Sequence, residues 1–66
     1  MSKFQQYQRV RIVKARPDLR IPLKKCRDIE AWVVDFDDDG NPILEYNFQM
    51  LKHMAVFKDA ELESYG

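Results

Sequence analysis

The chain has 66 residues, eleven Lys and Arg against eleven Asp and Glu, and a formal net charge of zero. This length allows one small domain, and 45% hydrophobic with 33% charged residues is the composition of a folded chain. A single Cys excludes an intrachain disulfide framework and an all-Cys zinc site. No apolar stretch approaches the roughly 20 residues that span a bilayer, and residues 1–6 lack an apolar signal segment. We therefore expect a soluble, cytoplasmic protein with a single domain over residues 1–66.

The charges are unevenly distributed along the chain. Residues 9–27 carry eight Arg and Lys against one Asp, a net charge of +7. Residues 28–66 carry ten Asp and Glu against two Lys, a net charge of −8. This asymmetry indicates either a basic face for an anionic partner or a basic half that folds against an acidic half through cross-strand pairs.

The first half of the chain predicts one strand and a loop. Within residues 8–14, Val10 and Ile12 alternate with Arg9 and Arg11, which is typical of a half-buried strand. Pro17 and Asp18 end it, because proline removes a backbone donor and both residues favour turns. We interpret residues 15–29 as one long irregular loop with a brief edge strand near residues 21–23.

The second half predicts a hairpin followed by two short strands. Residues 29–36 and 42–48 have strand composition, and Asp-Asp-Asp-Gly-Asn at 37–41 is a turn between them. Residues 49–53 are ambiguous between one helical turn and a distorted connector. Residues 54–57 and 61–64 predict strands around a tight turn at 58–60. The sequence thus predicts an all-β fold, a five-stranded, partly open barrel with a long first loop and a one-turn helix before the last strand.

Three segments resemble small Src-homology-3-like barrels, in particular KOW-type barrels and the small E-type barrel protein of photosystem I. They are residues 7–13, residues 31–40, which are similar to the hairpin pattern G-x-V-V-x-x-x-D-D-G, and residues 56–63. Ala31 stands where such barrels usually have Gly, and the first loop is unusually basic. The resemblance implies the fold and no activity. Plasmid-type dihydrofolate reductases share this fold, but residues 54–57 lack the Gln and Tyr of their substrate motif, so that activity is not carried over.

Strict alternation over residues 29–36 cannot turn both Val33 and Phe36 inward. We therefore predict a β-bulge near Val34 and Asp35, which adds one residue and lets both side chains face the core. The predicted core consists of Val10, Ile12, Leu23, Val33, Phe36, Leu44, Tyr46, Ala55, Phe57 and Leu62.

The turn sequence Asp35-Phe36-Asp37-Asp38-Asp39-Gly40 matches the first half of a calcium-binding loop. The twelfth loop position is Tyr46 instead of the bidentate Glu, and strands flank the turn where such a loop needs helices. We expect an acidic hairpin turn and no metal site, with weak cation binding left open.

Cys26 lies between Lys25 and Arg27, whose charges favour a thiolate. There is no second Cys to form a disulfide, and the single His53 provides neither a zinc site nor a catalytic set. We expect no catalytic residues and no cofactor. An oligomeric enzyme whose site is built by symmetry stays open as a third alternative, as does the role of Cys26.

Two groups of residues are candidates for binding. Five apolar residues that the predicted core leaves outward or at the rim indicate a protein contact or a homo-oligomer seam, unless some of them pack under residues 49–53. They are Trp32, Val34, Ile43, Phe48 and Val56. Five cations of the first loop are candidates for an anionic partner, and they are Arg16, Arg20, Lys24, Lys25 and Arg27.

The prediction that follows is a non-enzymatic interaction module, an accessory, adaptor or immunity-type protein that docks a protein partner. The basic loop would steer the encounter, and the surface around Trp32 would supply affinity. The alternative is a nucleic-acid-binding barrel that uses residues 9–27, although the neutral overall charge is not typical of such proteins. No membrane partner is expected.

Overall fold

The computed structural model describes residues 2–65; Met1 and Gly66, the ends of the predicted domain, lie outside the described residues. Its five strands are β1 (Arg9–Ile12), β2 (Glu30–Phe36), β3 (Pro42–Phe48), β4 (Leu51–Val56) and β5 (Leu62–Ser64). Its three 3₁₀ helices are η1 (Pro17–Leu19), η2 (Leu23–Asp28) and η3 (Asp59–Glu61).

All five strands pair antiparallel in one sheet with the order β4-β3-β2-β1-β5. The sheet is not closed, and β4 and β5 form its two edges. The predicted all-β, five-stranded, partly open architecture is therefore confirmed, as is the single helical turn before the last strand, which is η3.

The predicted bulge lies in β2. Val33 pairs with Leu44, but Ile43 pairs with Asp35 and not with Val34. The extra residue restores the inward direction at the end of the strand, because two residues of β2 then oppose one of β3. Val33 is fully buried, and Phe36 packs against the core.

The connection from β3 to β4 is tighter than either sequence interpretation of residues 49–53. Gln49 and Met50 form a two-residue hairpin turn with φ angles of 54° and 64°, and Phe48 pairs directly with Leu51. Turns with two left-handed residues usually contain Asn or Gly, so Gln-Met gave no turn signal. In consequence, β4 begins at Leu51, three residues before the predicted strand.

The first loop is more regular than predicted. Arg16 and Ile21 exchange backbone hydrogen bonds of 2.9 and 3.0 Å around η1, and η2 follows directly. This bridge turns Ile21 into the core. Leu23 was predicted to be buried, which is wrong: it begins η2 and is 62% exposed, while Ile21 and Cys26 fill the interior.

The core lies on the inner face of the sheet and is completed by residues outside the strands. Seven predicted members are buried, and Phe36 and Ala55 pack partly buried against them. Six further buried residues were not in the predicted core: Phe4, Ile21, Cys26, Ile29, Ala31 and Pro42.

Candidate functional site

The face of the sheet opposite the core carries a group of apolar side chains. Trp32 alternates with the buried Ala31 and Val33 along β2, and Ile43 is adjacent to the buried Leu44 on β3. The group, which we call the outer apolar surface, consists of Trp32, Val34, Ile43, Met54 and Val56.

Strand register places these residues together. Ile43 pairs with Val56, and the bulge leaves Val34 and Asp35 opposite Ile43. Trp32 is separated from Met54 only by Glu45, which pairs with both of them. Trp32, Val34 and Ile43 are half-buried, whereas Val56 is 40% and Met54 64% exposed.

An apolar outer face is unusual for a sheet of this kind. An antiparallel sheet with one face on the core normally presents polar residues on the other face, because that face meets water. Here apolar side chains occupy outward positions on three adjacent strands, β2, β3 and β4. The surface is therefore suited to contact with another molecule.

The structure does not bring Phe48 to this surface. Phe48 follows Leu44 and Tyr46 in alternation along β3, so it lies on the inner face and packs against the core. Its carbonyl accepts a hydrogen bond of 3.1 Å from Nε2 of His53. Met54 was missed in the sequence, although its alternation with Ala55, a predicted core residue, already indicated an outward position.

Arg9 extends the outer apolar surface onto β1. Its guanidinium lies 3.8 Å from the ring centroid of Tyr65, 5.9 Å from that of Trp32, and 3.6 Å from a carboxylate oxygen of Glu30. Its Nε is buried and has no hydrogen-bond partner among the described residues. Trp, Tyr and Arg are the residue types most enriched at the centres of protein interfaces, so this group adds interface character to the face.

Arg16 is placed differently from the other predicted cations. Its Nη1 donates to the carbonyl of Val56 at 3.1 Å and to the carboxylate of Glu61 at 3.2 Å, and its Nε and Nη2 donate to Asp18, each at 2.9 Å. The hydrogen bond with Asp18 raises the pKa of Arg16 and lowers the pKa of Asp18. The guanidinium also lies 4.7 Å over the ring of Phe57. Arg16 thus joins the end of β4 to η3, and its donors are engaged within the fold.

The remaining four cations are exposed, and none of them pairs with a carboxylate within residues 2–65. Lys24 and Arg27 line a cleft of about 450 Å³ between β1 and η2, together with Leu23 and Arg11. Lys25 borders a different cleft next to Phe48. Arg20 follows η1 and lines neither cleft. The four cations therefore form a dispersed basic surface and not one converging site.

Cys26 is buried on the inner side of η2. Its thiol donates to the carbonyl oxygens of Lys14 and Pro22, at 3.5 and 3.6 Å. Burial raises the pKa of the thiol, which opposes the effect expected from the charges of Lys25 and Arg27. Cys26 therefore has the environment of an inert core thiol.

The acidic turn is stabilised by hydrogen bonds from its own backbone to the side chain of Asp37. The carboxylate of Asp37 accepts hydrogen bonds from the backbone N–H groups of Asp39 and Asn41, at 3.0 and 2.8 Å, and the Asn41 bond is the main reason for its lowered pKa. Gly40 has a φ of 81°, which a residue with a side chain adopts only at a cost. Among the residues that the structure describes, no group of three or more His, Cys, Asp or Glu could hold a metal ion.

No family model, curated protein or solved structure matches this chain. In the described part of the chain, no helix is long and apolar enough to cross a membrane.

Proposed function

We propose that this protein is a non-enzymatic interaction module that docks a protein partner on its outer apolar surface. One observation supports the proposal above all: apolar side chains occupy outward positions on three adjacent strands, on the face of the sheet opposite the core. A partner that covers this face removes apolar area from water without unfolding the sheet.

The surface has the residue types of an interface centre, and one charged residue, Glu45, lies within it between Trp32 and Met54. Trp32 provides the largest side chain and is flanked by the Arg9 guanidinium, while Glu45 and Lys52 form an ion pair of 3.0 Å beside Met54. Aromatic and Arg residues dominate binding energy in such centres, and exposed charges around them affect specificity and association rate more than affinity.

Two further features are consistent with the proposal. The resemblance to Src-homology-3-like barrels, which we retain as a hypothesis, supports a binding role because such barrels often contact partners through the rim and the first loop. The exposed cations Arg20, Lys24, Lys25 and Arg27 would attract an acidic partner to the same molecule. We place the protein in the cytoplasm, where a lone thiol such as Cys26 stays reduced.

The experiment compares partner capture by two variants of the whole chain. Trp32→Ala removes the centre of the outer apolar surface, and Leu23→Ala removes an exposed apolar side chain from η2, away from this surface. Quantitative mass spectrometry of proteins retained from the native host should give a protein that the wild type and Leu23→Ala retain and that Trp32→Ala loses. If every retained protein is lost equally from both variants or from neither, the proposal is wrong.

A second candidate function, nucleic-acid binding, rests on the exposed cations of the first loop. Against it, Lys24 and Arg27 line one cleft and Lys25 another, so the exposed cations do not form one continuous basic groove that could follow a nucleic-acid backbone. Fluorescence anisotropy with labelled RNA and DNA at two salt concentrations separates the candidates. Binding that weakens steeply with salt supports nucleic acid, and no binding at low salt removes it.

A further inference from the structure

The outer edge of β4 presents backbone groups that have no partner within residues 2–65. The backbone N–H of Phe57 donates to the carbonyl of Pro42 at 2.9 Å. Phe57 and Pro42 are therefore a hydrogen-bonded pair of the ladder between β4 and β3. Such pairs recur at every second residue of an antiparallel ladder, so Leu51, His53 and Ala55 direct their backbone groups to β3. The backbone groups of the alternate residues, Lys52, Met54 and Val56, therefore point away from the sheet.

Within residues 2–65, one of these outward groups is occupied. The carbonyl of Val56 accepts the hydrogen bond from Arg16, which independently confirms the outward direction at this position. The N–H and C=O groups of Lys52 and Met54 and the N–H of Val56 form no hydrogen bond in the described part of the chain. They are available to a further strand.

The two edges of the sheet differ in how they are protected. Proteins normally shield an edge strand by making it very short or by placing Pro, charges or bulges on it. The edge strand β5 has three residues, and its central Glu63 is paired with Arg11. The edge strand β4 has six residues in unbroken register with β3, contains one charged residue, Lys52, and no Pro, and exposes Leu51 and Met54, each 64% exposed.

We infer that β4 pairs antiparallel with β4 of a second copy of this chain, about a two-fold axis at Met54. This register joins the two sheets edge to edge and pairs Met54 with Met54, and Lys52 with Val56 of the second copy. In this register, the three residues with outward backbone groups in one copy lie opposite the same three residues of the other copy. A two-fold interface buries the same residues on both copies, so one strand can form both halves of the contact. The dimer goes beyond the docking of a different protein proposed above.

Neighbouring registers are less favourable. An axis at Lys52 would place two like charges directly opposite each other, which destabilises a strand pair. An axis at Val56 would set Lys52 opposite Ala60, which lies in η3 and not in a strand. The Met54 axis leaves Lys52 opposite an apolar residue and still 3.0 Å from Glu45 of its own chain.

Two properties of the chain make this pairing feasible. The carbonyl of Val56 has a second lone pair, so it can accept from Lys52 of the second copy while it accepts from Arg16. The formal net charge of zero adds no overall repulsion between two copies.

Sedimentation of the whole chain over roughly 10 µM to 1 mM, the range of weak associations, tests the dimer directly. We expect the average mass to rise from 7.9 kDa towards twice that value. The amide exchange of Lys52 and Met54 should slow as concentration increases, because these N–H groups become bonded only in the dimer. A monomer over the whole range, with fast exchange at both amides, overturns the inference.

Met54→Pro removes the central outward donor and leaves the bonds between β3 and β4 intact, so it should be monomeric, whereas Met54→Val keeps the N–H and should dimerise. If Met54→Pro does not fold, Met54→Glu and Met54→Lys provide the same test. Each of these alone should be monomeric, and their mixture should restore a dimer, because the axis places opposite charges face to face. A dimer that survives Met54→Pro, or single variants that stay monomeric when mixed, would show that the contact lies elsewhere.

Discussion

The Arg16 guanidinium and the Glu61 carboxylate lie 3.2 Å apart, and each side chain is less than one-fifth exposed. Glu61 also accepts a hydrogen bond of 2.8 Å from the backbone N–H of Lys58, which holds η3 in place before β5. Through Arg16 the first loop is therefore connected both to the end of β4 and to the start of β5. Arg16, which the sequence grouped with the cations available to a partner, therefore has a structural role.

Substitution Arg16→Ala should lower the free energy of unfolding by about 2 kcal/mol, because it leaves the Glu61 carboxylate largely covered and without its charged partner. The matched control is Arg20→Ala, which removes an exposed guanidinium with no ion pair in the described part of the chain and should change stability by less than about 0.5 kcal/mol. Urea unfolding followed by circular dichroism measures both. Equal losses in the two variants would contradict the structural role of Arg16.

The Gln49–Met50 turn should be open to stabilisation. Both residues adopt left-handed φ angles that cost a residue with a side chain about 1 kcal/mol or more, whereas Asn-Gly fits this turn. The double substitution Gln49→Asn with Met50→Gly should raise the free energy of unfolding by about 1 kcal/mol. Met50→Ala, which keeps the unfavourable φ, should have little effect. A stability unchanged in the double variant would mean that the turn has another geometry.

Asp37 should make stability depend on pH below about 4. Its pKa in the folded chain is lowered, chiefly by the hydrogen bond from the Asn41 backbone. A lowered folded pKa adds stability that is present above the unfolded value of 3.8 and is lost as the pH falls through the folded value. Asp37→Asn should remove part of this acid-induced loss, and Asp38→Asn, which changes the net charge equally, should keep it. Urea unfolding at pH 7, 4 and 2.5 compares them, and identical pH profiles would count against this role for Asp37.

The sequence predicted those parts of the fold that local patterns determine. The hairpin of residues 29–48, its Gly40 turn and the bulge after Val33 follow from alternation and turn chemistry, which act over a few residues. The turn at Gln49 could not be predicted, because the residues that normally mark such a turn are absent. Phe4 and Ile21 could not be placed either, since their burial depends on long-range contacts.

The candidate surface was predictable only in part. Trp32, Ile43 and Val56 alternate with buried neighbours, so their outward direction follows from period-two alternation. The same rule places Phe48 inward and Met54 outward, and applying it to the whole strand would have given both. The internal role of Arg16 could not be read from the sequence, because Val56 and Glu61 are far from it along the chain.

The outward side chains of the sheet are available for binding because the fold does not depend on them. Trp32 and its neighbour Val33 point to opposite faces, so urea unfolding of Trp32→Ala and Val33→Ala separates a role at the surface from a role in folding. We predict that Val33→Ala lowers the free energy of unfolding by about 2 kcal/mol, by opening a cavity in the core. Trp32→Ala should cost no more than about 1 kcal/mol, mainly through its lost contact with Arg9. If Trp32→Ala costs as much as Val33→Ala or more, Trp32 belongs to the folding core and the outer apolar surface is not free to dock a partner.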